Sequence, residues 1–294
     1  MVGVIAVKRR VGAVPAPILF VLSGISLYAG AAIAVQLFAV AAPSGVAWLR
    51  CLGAAVVLLA WRRPGRAAWR GRRLLLASAF GLVAAGMNVL FYEAIARLPL
   101  GTAVAIEFAG PVLVAALGSR TRRDIFALVL ATAGVLCIAD VRLSGSALGV
   151  VFALAAAAAW AGYIVLGKRV ALGAAVGSGI DSLAIGLAVA TVLLSPLALS
   201  TGTVWGSPRL LLLGIGVGVL SSVVPYGLDQ VVLRRVGRAQ FALVLALLPV
   251  AAGVSGFALL AQVPSLPEAL GTLAVVAGVA LRSRDDPGTT QGAA

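Results

Sequence analysis

The sequence predicts an all-α membrane protein in which ten transmembrane helices form two inverted five-helix repeats and both termini are cytoplasmic. Three observations lead to this fold class: the composition, the spacing of long apolar runs and the placement of the basic residues. Of the 294 residues, 62% are hydrophobic and 11% are charged, whereas about 25% are charged in an ordinary soluble domain. So few charges could not cover the surface of a soluble protein of this length, which excludes most soluble enzymes and nearly all disordered or fibrous chains.

The apolar runs have the length that a membrane span requires. A helix needs about 20 mostly apolar residues to cross the hydrocarbon core of a bilayer. Ten runs approach or exceed this length. The breaks expected between them are at Pro43, Pro64-Gly65, Pro99, Ser144-Gly145, Pro208, and Pro264 with Pro267. The fifth and the last run are short. The predicted spans are residues 17–38, 44–61, 74–96, 101–119, 124–140, 146–167, 179–199, 209–233, 238–261 and 267–281.

The basic residues give the orientation of the spans, because Lys and Arg concentrate in cytoplasmic connections. With a cytoplasmic N-terminus, 19 basic residues fall on the inner side, and only Arg97, Arg142 and Arg209 fall on the outer side. If the number of spans were wrong by one, the later connections would exchange sides, and the basic residues would no longer separate in this way. The net charge of +14 is therefore interpreted as a topology signal, and no nucleic-acid partner is predicted.

The two halves of the chain resemble each other. Residues 97–111 read RLPLGTAVAIEFAGP and residues 235–249 read RVGRAQFALVLALLP, and the two segments align without gaps from Arg to Pro. Each half has five predicted spans, so the halves enter the membrane from opposite sides, as in many secondary transporters. The predicted units are a first repeat at 17–140, a second repeat at 146–281 and a disordered cytoplasmic tail at 282–294.

Several kinds of chemistry are excluded by residues that the chain lacks. It contains no histidine, which excludes a His-ligated metal, a Ser-His-Asp triad and a His general base. Cys51 and Cys137 are far apart and form no CxxC motif. There is also no GxxxxGK[ST] motif, so transport driven by ATP bound to this chain is not expected. We predict no cofactor, no resident metal and no enzymatic activity.

Glu107 is the strongest candidate for a functional residue, because a charge inside the hydrocarbon is expensive and needs a partner or a task. It lies within the fourth predicted span, and Pro111 four residues later leaves the carbonyl of Glu107 without its helical hydrogen bond. A proton, a sodium ion or a substrate ammonium could bind there. The alternative is a protonated Glu107 bonded to a neighbouring helix.

Arg50 is the natural counter-charge, because it lies at a similar depth in the second predicted span. An amino acid could place its carboxylate on Arg50 and its ammonium on Glu107. The alternative is a structural pair between Arg50 and either Glu107 or a backbone group. Both alternatives remain open from the sequence.

Four further polar or aromatic residues are candidates for substrate binding. Asn88 and Tyr92 are four residues apart and share a helix face, where they could bind a ligand or join two helices. Trp160 lies deep in its span and could line a cavity. The tryptophans near the predicted membrane interfaces are instead expected to be aromatic anchors, namely Trp48, Trp61, Trp69 and Trp205. Tyr226 follows Pro225, which frees the carbonyl of Ser221 and is expected to break or kink its helix. The other expected helix breaks or hinges are at Pro111 and Pro249.

Four segments carry a resemblance to a known family. Residues 86–117 read GMNVLFYEAIARLPLGTAVAIEFAGPVLVAAL, residues 160–169 read WAGYIVLGKR, residues 221–229 read SSVVPYGLD, and residues 249–256 read PVAAGVSG. The chain resembles the drug/metabolite transporter superfamily of the EamA type, and within it the threonine/homoserine exporter-like subgroup. The resemblance implies ten helices in two inverted repeats and export of small metabolites, often amino acids and often coupled to protons, across the bacterial inner membrane.

The chain departs from the family pattern at several positions in its second half. Leu248 stands where such proteins usually carry a Glu before the proline of the ninth span, and Ala261-Gln262 replaces the usual Gly-Glu. Asp229 replaces a Glu. The lost carboxylate places a mechanism with two carboxylates in doubt and increases the expected importance of Glu107.

These observations predict a secondary active transporter in the inner membrane that exports small polar metabolites, in particular amino acids, by alternating access. Export of drugs or other metabolites is the first alternative, and an intramembrane enzyme or a scaffold without transport is a weaker one. The expected partners are the lipid bilayer, a small-molecule substrate and a proton or another coupling ion. The sequence is compatible with a monomer or a homodimer.

Overall fold

The computed structural model describes residues 16–118, 122–173, 179–233 and 248–283. Within these ranges every regular element is a helix and no β-strand occurs. The α-helices are α1 (Ala16–Leu37), α2 (Pro43–Arg62), α3 (Gly71–Ile95), α4 (Leu100–Glu107), α5 (Ala109–Gly118), α6 (Arg122–Gly173), α7 (Gly179–Leu193), α8 (Pro208–Gly218), α9 (Val224–Leu233), α10 (Leu248–Leu260) and α11 (Leu266–Ser283). The 3₁₀ segments are Arg66–Trp69 and Ser195–Gly206, and a π-helical segment, Val219–Val223, joins α8 to α9.

Prolines mark the starts of several helices. Pro43 and Pro208 are the first residues of α2 and α8, where the missing N–H costs nothing because it would have no helical partner. Ser207 caps α8, since its hydroxyl accepts a hydrogen bond from the backbone N–H of Leu210. Pro99 directly precedes α4. The separators that were identified in the sequence therefore coincide with these helix boundaries.

The fifth and sixth predicted spans lie within one long helical element, α6. Its backbone is interrupted at Ser146, where φ is −158° and ψ is 55°. This residue follows the Ser144-Gly145 pair that was expected to separate the two spans. The kink at Ser146 therefore divides α6 into two helical arms.

The seventh predicted span, residues 179–199, is shorter as an α-helix than expected. Helix α7 ends at Leu193, and the following 3₁₀ segment is bent from it by 80°. The cause is Pro196, which lacks an N–H and disfavours α conformation in the residue before it. The side chain of Trp48 donates a hydrogen bond of 2.8 Å to the carbonyl of Thr191 near this helix end. Trp48 is thus buried within the protein.

Four helical segments are long and apolar enough to cross a membrane, namely Pro43–Arg62, Gly71–Ile95, Ser146–Gly167 and Pro208–Leu228. The bent pair formed by α7 and the following 3₁₀ segment could form a fifth span, and five shorter apolar helices accompany them. Large apolar side chains such as Leu199 and Val192, which are 89% and 71% exposed, lie on the outer surface. That the chain has ten spans, and that both termini are cytoplasmic, are still predictions from the sequence.

Helices from the two halves of the chain pack directly against each other. Helix α2 contacts α7 and α8, α3 contacts α6 and α7, and α4 contacts α10. The larger buried core surrounds Leu49, Tyr92 and Ile106, and a smaller one surrounds Leu58 and Phe80. The centre of the protein is therefore built from both halves.

Some predictions concern residues outside the described ranges. These include residues 234–247, which contain the first part of the ninth span and most of the second copy of the repeated segment. The predicted tail lies outside the described ranges from residue 284 onward, whereas residues 282 and 283 belong to α11.

Ala261 follows α10 in a left-handed conformation with φ of 53°. Its N–H donates the last helical hydrogen bond, to the carbonyl of Phe257, and the left-handed turn at Ala261 then ends the helix. This conformation costs an L-residue with a Cβ about 1–2 kcal/mol. The chain has alanine at this position, where members of the family that it resembles usually have glycine. We expect Ala261→Gly to raise the free energy of unfolding by about 0.5–1 kcal/mol. Glycine relieves the backbone strain, and this gain is larger than the loss from the added flexibility of the unfolded chain.

Thermal unfolding of the purified protein in detergent measures this effect. The matched control is Ala258→Gly, because Ala258 is an exposed residue within α10. There glycine weakens the helix, and we expect a decrease of about 0.5–1 kcal/mol. A lower or unchanged unfolding temperature for Ala261→Gly would show that the backbone at this turn is not strained.

Candidate functional site

A cavity of about 220 Å³ lies at the centre of the protein between helices of both halves. This volume exceeds by more than tenfold the roughly 15 Å³ that one water molecule requires by a comparable measure. Helices α1, α2, α3, α4, α6, α9 and α10 and the π-helical segment contribute to its wall. The lining residues are Leu27, Tyr28, Ala31, Arg50, Met87, Asn88, Phe91, Val104, Glu107, Phe108, Trp160, Tyr163, Ser221, Pro225, Tyr226 and Leu248.

Glu107 is the acidic residue of this wall. It is the last residue of α4, and the helix is interrupted at Phe108, three residues before Pro111. The side chain is only 8% exposed. In the described part of the chain it makes no hydrogen bond and no ion pair, although it is within electrostatic range of Arg50. A buried carboxyl group therefore faces the cavity without a hydrogen-bonding or ion-pairing partner among the described residues.

Arg50 is the basic residue of the wall, and it is 7% exposed. Its Nη2 donates to the carbonyl oxygen of Ser221 at 3.0 Å, and its Nε donates to the hydroxyl of Ser222 at 3.2 Å. The carbonyl of Ser221 lies four residues before Pro225, which has no N–H to donate to it. Of the two structural pairs considered from the sequence, the pair with a backbone group is thus present, and a direct ion pair with Glu107 is not formed.

The remaining predicted site residues divide into two groups. Asn88, Trp160 and Tyr226 line the cavity. Tyr92 does not line it, because its ring is fully buried behind Arg50, with the guanidinium carbon 5.5 Å from the ring centre. The hydroxyl of Tyr92 has no hydrogen-bond partner among the described residues.

The predicted helix breaks also differ in position. Pro225 lines the cavity directly after the π-helical segment. Pro111 lies in α5, just beyond the interruption at Phe108. Pro249 is the second residue of α10 as described and lines a separate cavity of about 240 Å³ between α4, α10 and α11.

Sequence reasoning missed several aromatic residues of the wall, of which Tyr163 is the most informative. Its hydroxyl lies 2.9 Å from the hydroxyl of Tyr226, and its ring stacks on Phe80 with ring centres 4.6 Å apart. Tyr163 follows Trp160 by three residues and therefore shares its helix face. This spacing was a usable signal for Tyr163, whereas Trp160 itself packs edge-on against Phe108 at 4.8 Å.

Three of the residues at which the chain departs from the family pattern can be located. Leu248 lines the cavity, so the wall is apolar at the position where a second carboxylate would be expected. Gln262 accepts a hydrogen bond of 2.8 Å from the backbone N–H of Leu100 at the start of α4. Ala261 occupies the strained turn after α10. The side chain of Asp229 lies outside the described set.

Glu268 is a buried acid with a structural role. It accepts hydrogen bonds from the N–H and hydroxyl of Ser265 at the start of α11, and the bond from the N–H is the carboxylate half of a capping box. It also accepts a hydrogen bond of 2.8 Å from the hydroxyl of Thr102 in α4. All these contacts satisfy Glu268 within the protein, in contrast to Glu107.

The EamA-like transporter family model matches residues 147–284. The threonine/homoserine exporter RhtA of Salmonella typhimurium (strain SL1344) is 34% identical over 283 residues, which are 92% of this chain and 93% of the relative. RhtA of Escherichia coli (strain K12) is 34% identical over 260 residues, 86% of this chain and 85% of the relative. The chain belongs to the EamA-like transporter family.

A solved structure agrees with the fold of this EamA-like transporter. A chain described as "Crystal structure of protein" is 20% identical and superposes with a TM-score of 0.60, covering 90% of this chain and 96% of its own length. The family and the two relatives are transporters and not enzymes. The EamA-like chain is thus a multi-pass membrane transporter, as the composition and the apolar helices indicated.

Proposed function

We propose that this transporter exports small amino acids of the threonine and homoserine type across the bacterial inner membrane as a secondary carrier. Similarity to proteins named threonine/homoserine exporters supports the class of cargo. The observation that carries the proposal is the pair of opposite charges on one cavity. Among the described residues, Glu107 has no hydrogen bond or ion pair, and Arg50 uses only two of its three guanidinium nitrogens.

This pair matches the two charges of an amino acid. The substrate ammonium would bind the Glu107 carboxylate, and the substrate carboxylate would bind the guanidinium of Arg50, which suits bidentate recognition. Asn88 and the hydroxyl groups of the two tyrosines, Tyr163 and Tyr226, are near enough to the same space to bind polar side-chain groups of the cargo. A zwitterion thereby satisfies both buried charges at once.

The mechanism we infer is alternating access between the two repeats, residues 17–140 and 146–281. The cavity lies between helices of both halves, which is where an inverted repeat places its substrate. The helix interruption at Phe108 and the π-helical segment before Pro225 lie on its wall and are the expected hinges. Pro111 and Pro249 are the corresponding proline positions of the two aligned segments.

The lack of a partner for Glu107 among the described residues supports coupling to protons. An unpaired charge at the centre of a membrane costs at least about 2.5–3.5 kcal/mol. When the substrate ammonium leaves, a proton that binds the carboxylate removes this cost. Exchange of an outgoing amino acid for an incoming proton would therefore use one carboxyl group, in agreement with the loss of a carboxylate at Leu248.

Counterflow in liposomes tests the proposal. Vesicles that contain the purified protein and a pool of unlabelled amino acids should accumulate labelled threonine or homoserine. Threonine amide, which lacks the carboxylate, and 2,3-dihydroxybutyrate, which lacks the ammonium, should each compete at least about tenfold more weakly than threonine, because each leaves one buried charge unpaired. Absence of accumulation for every amino acid, with folded protein in the vesicles, would overturn the amino-acid assignment.

A second candidate function, export of drugs or other metabolites, is favoured by the aromatic character of the wall. Of the residues that the structure describes, six aromatic ones line the cavity: Tyr28, Phe91, Phe108, Trp160, Tyr163 and Tyr226. Such a surface suits apolar or planar cargo. In the same assay, stronger competition by apolar compounds than by threonine would select this function.

A further inference from the structure

Among the described residues, the hydrogen bonds of the Arg50 guanidinium all lie along one edge, and the ring of Tyr92 lies 5.5 Å from its central carbon. A guanidinium has five N–H donors, and in the structure Nε and Nη2 donate to Ser222 and Ser221. The remaining nitrogen, Nη1, makes no hydrogen bond to any residue that the structure describes, and Arg50 lines the cavity. The side chain therefore has one fixed edge and one edge available to a ligand.

The fixed edge exists because of the unusual backbone after α8. In the π-helical segment Val219–Val223, the N–H of Val224 donates to the carbonyl of Val219. Pro225 then supplies no N–H at all, so it donates neither to the carbonyl of Leu220 five residues earlier nor to that of Ser221 four residues earlier. A π-helical turn followed by a proline thus presents a backbone acceptor sideways, toward α2, where Arg50 uses it.

The π-helical segment is itself fixed to α1. The hydroxyl of Ser26 donates to the carbonyl of Leu220 at 2.8 Å, and the hydroxyl of Ser221 donates to the carbonyl of Leu27 at 3.1 Å. A Cβ on Gly30 would overlap with the side chain of Ser221, so α1 approaches this segment closely. The acceptors for Arg50 consequently have a defined position.

We propose that Ser222 is a positioning residue that orients Arg50 toward the substrate carboxylate and thereby determines the preference for carboxylate-bearing cargo. This inference rests on the proposed function. Ser222 is 3% exposed and is not part of the cavity wall, so it acts on the substrate through Arg50 alone. Its hydroxyl fixes Nε, and the carbonyl of Ser221 fixes Nη2. Two bonds of this kind hold the plane of the guanidinium, which bidentate binding of a carboxylate requires.

The test compares how threonine and threonine amide compete for counterflow of labelled threonine. For Ser222→Ala we expect threonine to bind at least about tenfold more weakly, the effect of one lost hydrogen bond to a charged group. The amide, which gains nothing from an oriented guanidinium, should keep its affinity. The preference for threonine over the amide therefore falls. Ser222→Thr keeps the hydroxyl and should restore the preference.

Two further variants keep the test interpretable. Ser222→Cys has nearly the same size but a weak acceptor, and it should lower the preference even if Ser222→Ala is poorly folded. Thr191→Val removes a buried hydroxyl that bonds to its own helix at Leu187, away from the cavity, and should leave the preference unchanged.

The outcomes separate this inference from the proposed function. Equal weakening of both ligands by Ser222→Ala, or no weakening of either, in folded protein would overturn the positioning role while the assignment of Arg50 remained. If the unmodified protein does not distinguish threonine from its amide, the proposed carboxylate site at Arg50 fails, and the positioning role fails with it.

Discussion

Replacement of Glu107 by glutamine is expected to reduce counterflow of labelled threonine by about a hundredfold or more while the protein remains folded. The substitution keeps the size of the side chain and removes the charge. The substrate ammonium then enters a buried site without its counter-charge, a loss that amounts to about 2–5 kcal/mol for desolvated charge pairs. A glutamine also cannot bind and release a proton, so exchange of substrate for protons stops as well.

The matched control is Glu93→Gln in the preceding helix. Glu93 forms a surface ion pair with Arg97 at 2.6 Å, and exposed pairs of this type contribute only about 0–1 kcal/mol. This variant should transport at nearly the rate of the unmodified protein. Full counterflow by Glu107→Gln would remove Glu107 from the mechanism, whereas equal losses in both variants would indicate a general sensitivity to loss of negative charge.

Much of the helical organisation followed from the sequence because bilayer thickness and backbone hydrogen bonding restrict it strongly. Helices α2 and α8 begin at prolines that separate apolar runs in the sequence, and the kink at Ser146 follows the Ser144-Gly145 pair between two such runs. The end of α7 at Leu193 was missed, because the apolar run continues through Pro196 without a change in hydropathy. Hydropathy reports that a segment is apolar. It does not distinguish one continuous transmembrane helix from a helix that is followed by a bent apolar segment.

The candidate site was only partly accessible to sequence reasoning. Glu107 and Arg50 were identifiable because charges inside apolar runs are rare and expensive. Tyr92 shows the limit: it shares a helix face with Asn88, yet the rings of Phe38 and Phe91 and the side chain of Arg50 cover it one turn further along. Spacing fixes the face of a helix, whereas the neighbours at each depth depend on how other helices cross it.

Trp48 illustrates the same limit at the predicted membrane interface. In the sequence, a tryptophan near the end of a span indicates an aromatic anchor in the lipid headgroup region. In the structure, Trp48 is 7% exposed, and its ring N–H donates a hydrogen bond to the carbonyl of Thr191 in α7. Trp61, also near a span end, is 53% exposed. Only the tertiary packing decides which of two such tryptophans faces lipid.

The crossing of α3 and α7 is expected to be the most sensitive contact for folding. Gly81 in α3 and Gly186 in α7 meet there, and a Cβ on Gly81 would overlap with the backbone of Gly186. Backbone atoms cannot move aside as a flexible side chain can, so Gly81→Ala must push the two helices apart. We expect a loss of at least about 3 kcal/mol of stability, at the upper end of overpacking effects. Size-exclusion chromatography in detergent should show little monodisperse protein.

Gly86→Ala is the control for this prediction because Gly86 lies in the same helix and no atom is within 4 Å of its added Cβ. Alanine favours a helix over glycine by about 0.5–1 kcal/mol, so this variant should be as stable as the unmodified protein or more stable. Opposite signs for the same substitution five residues apart could not arise from helix propensity alone. They would show that α3 of the first half and α7 of the second half pack backbone to backbone, which is one of the contacts that join the two halves. Equal stability of both variants would mean that the two helices do not approach as closely as the structure shows.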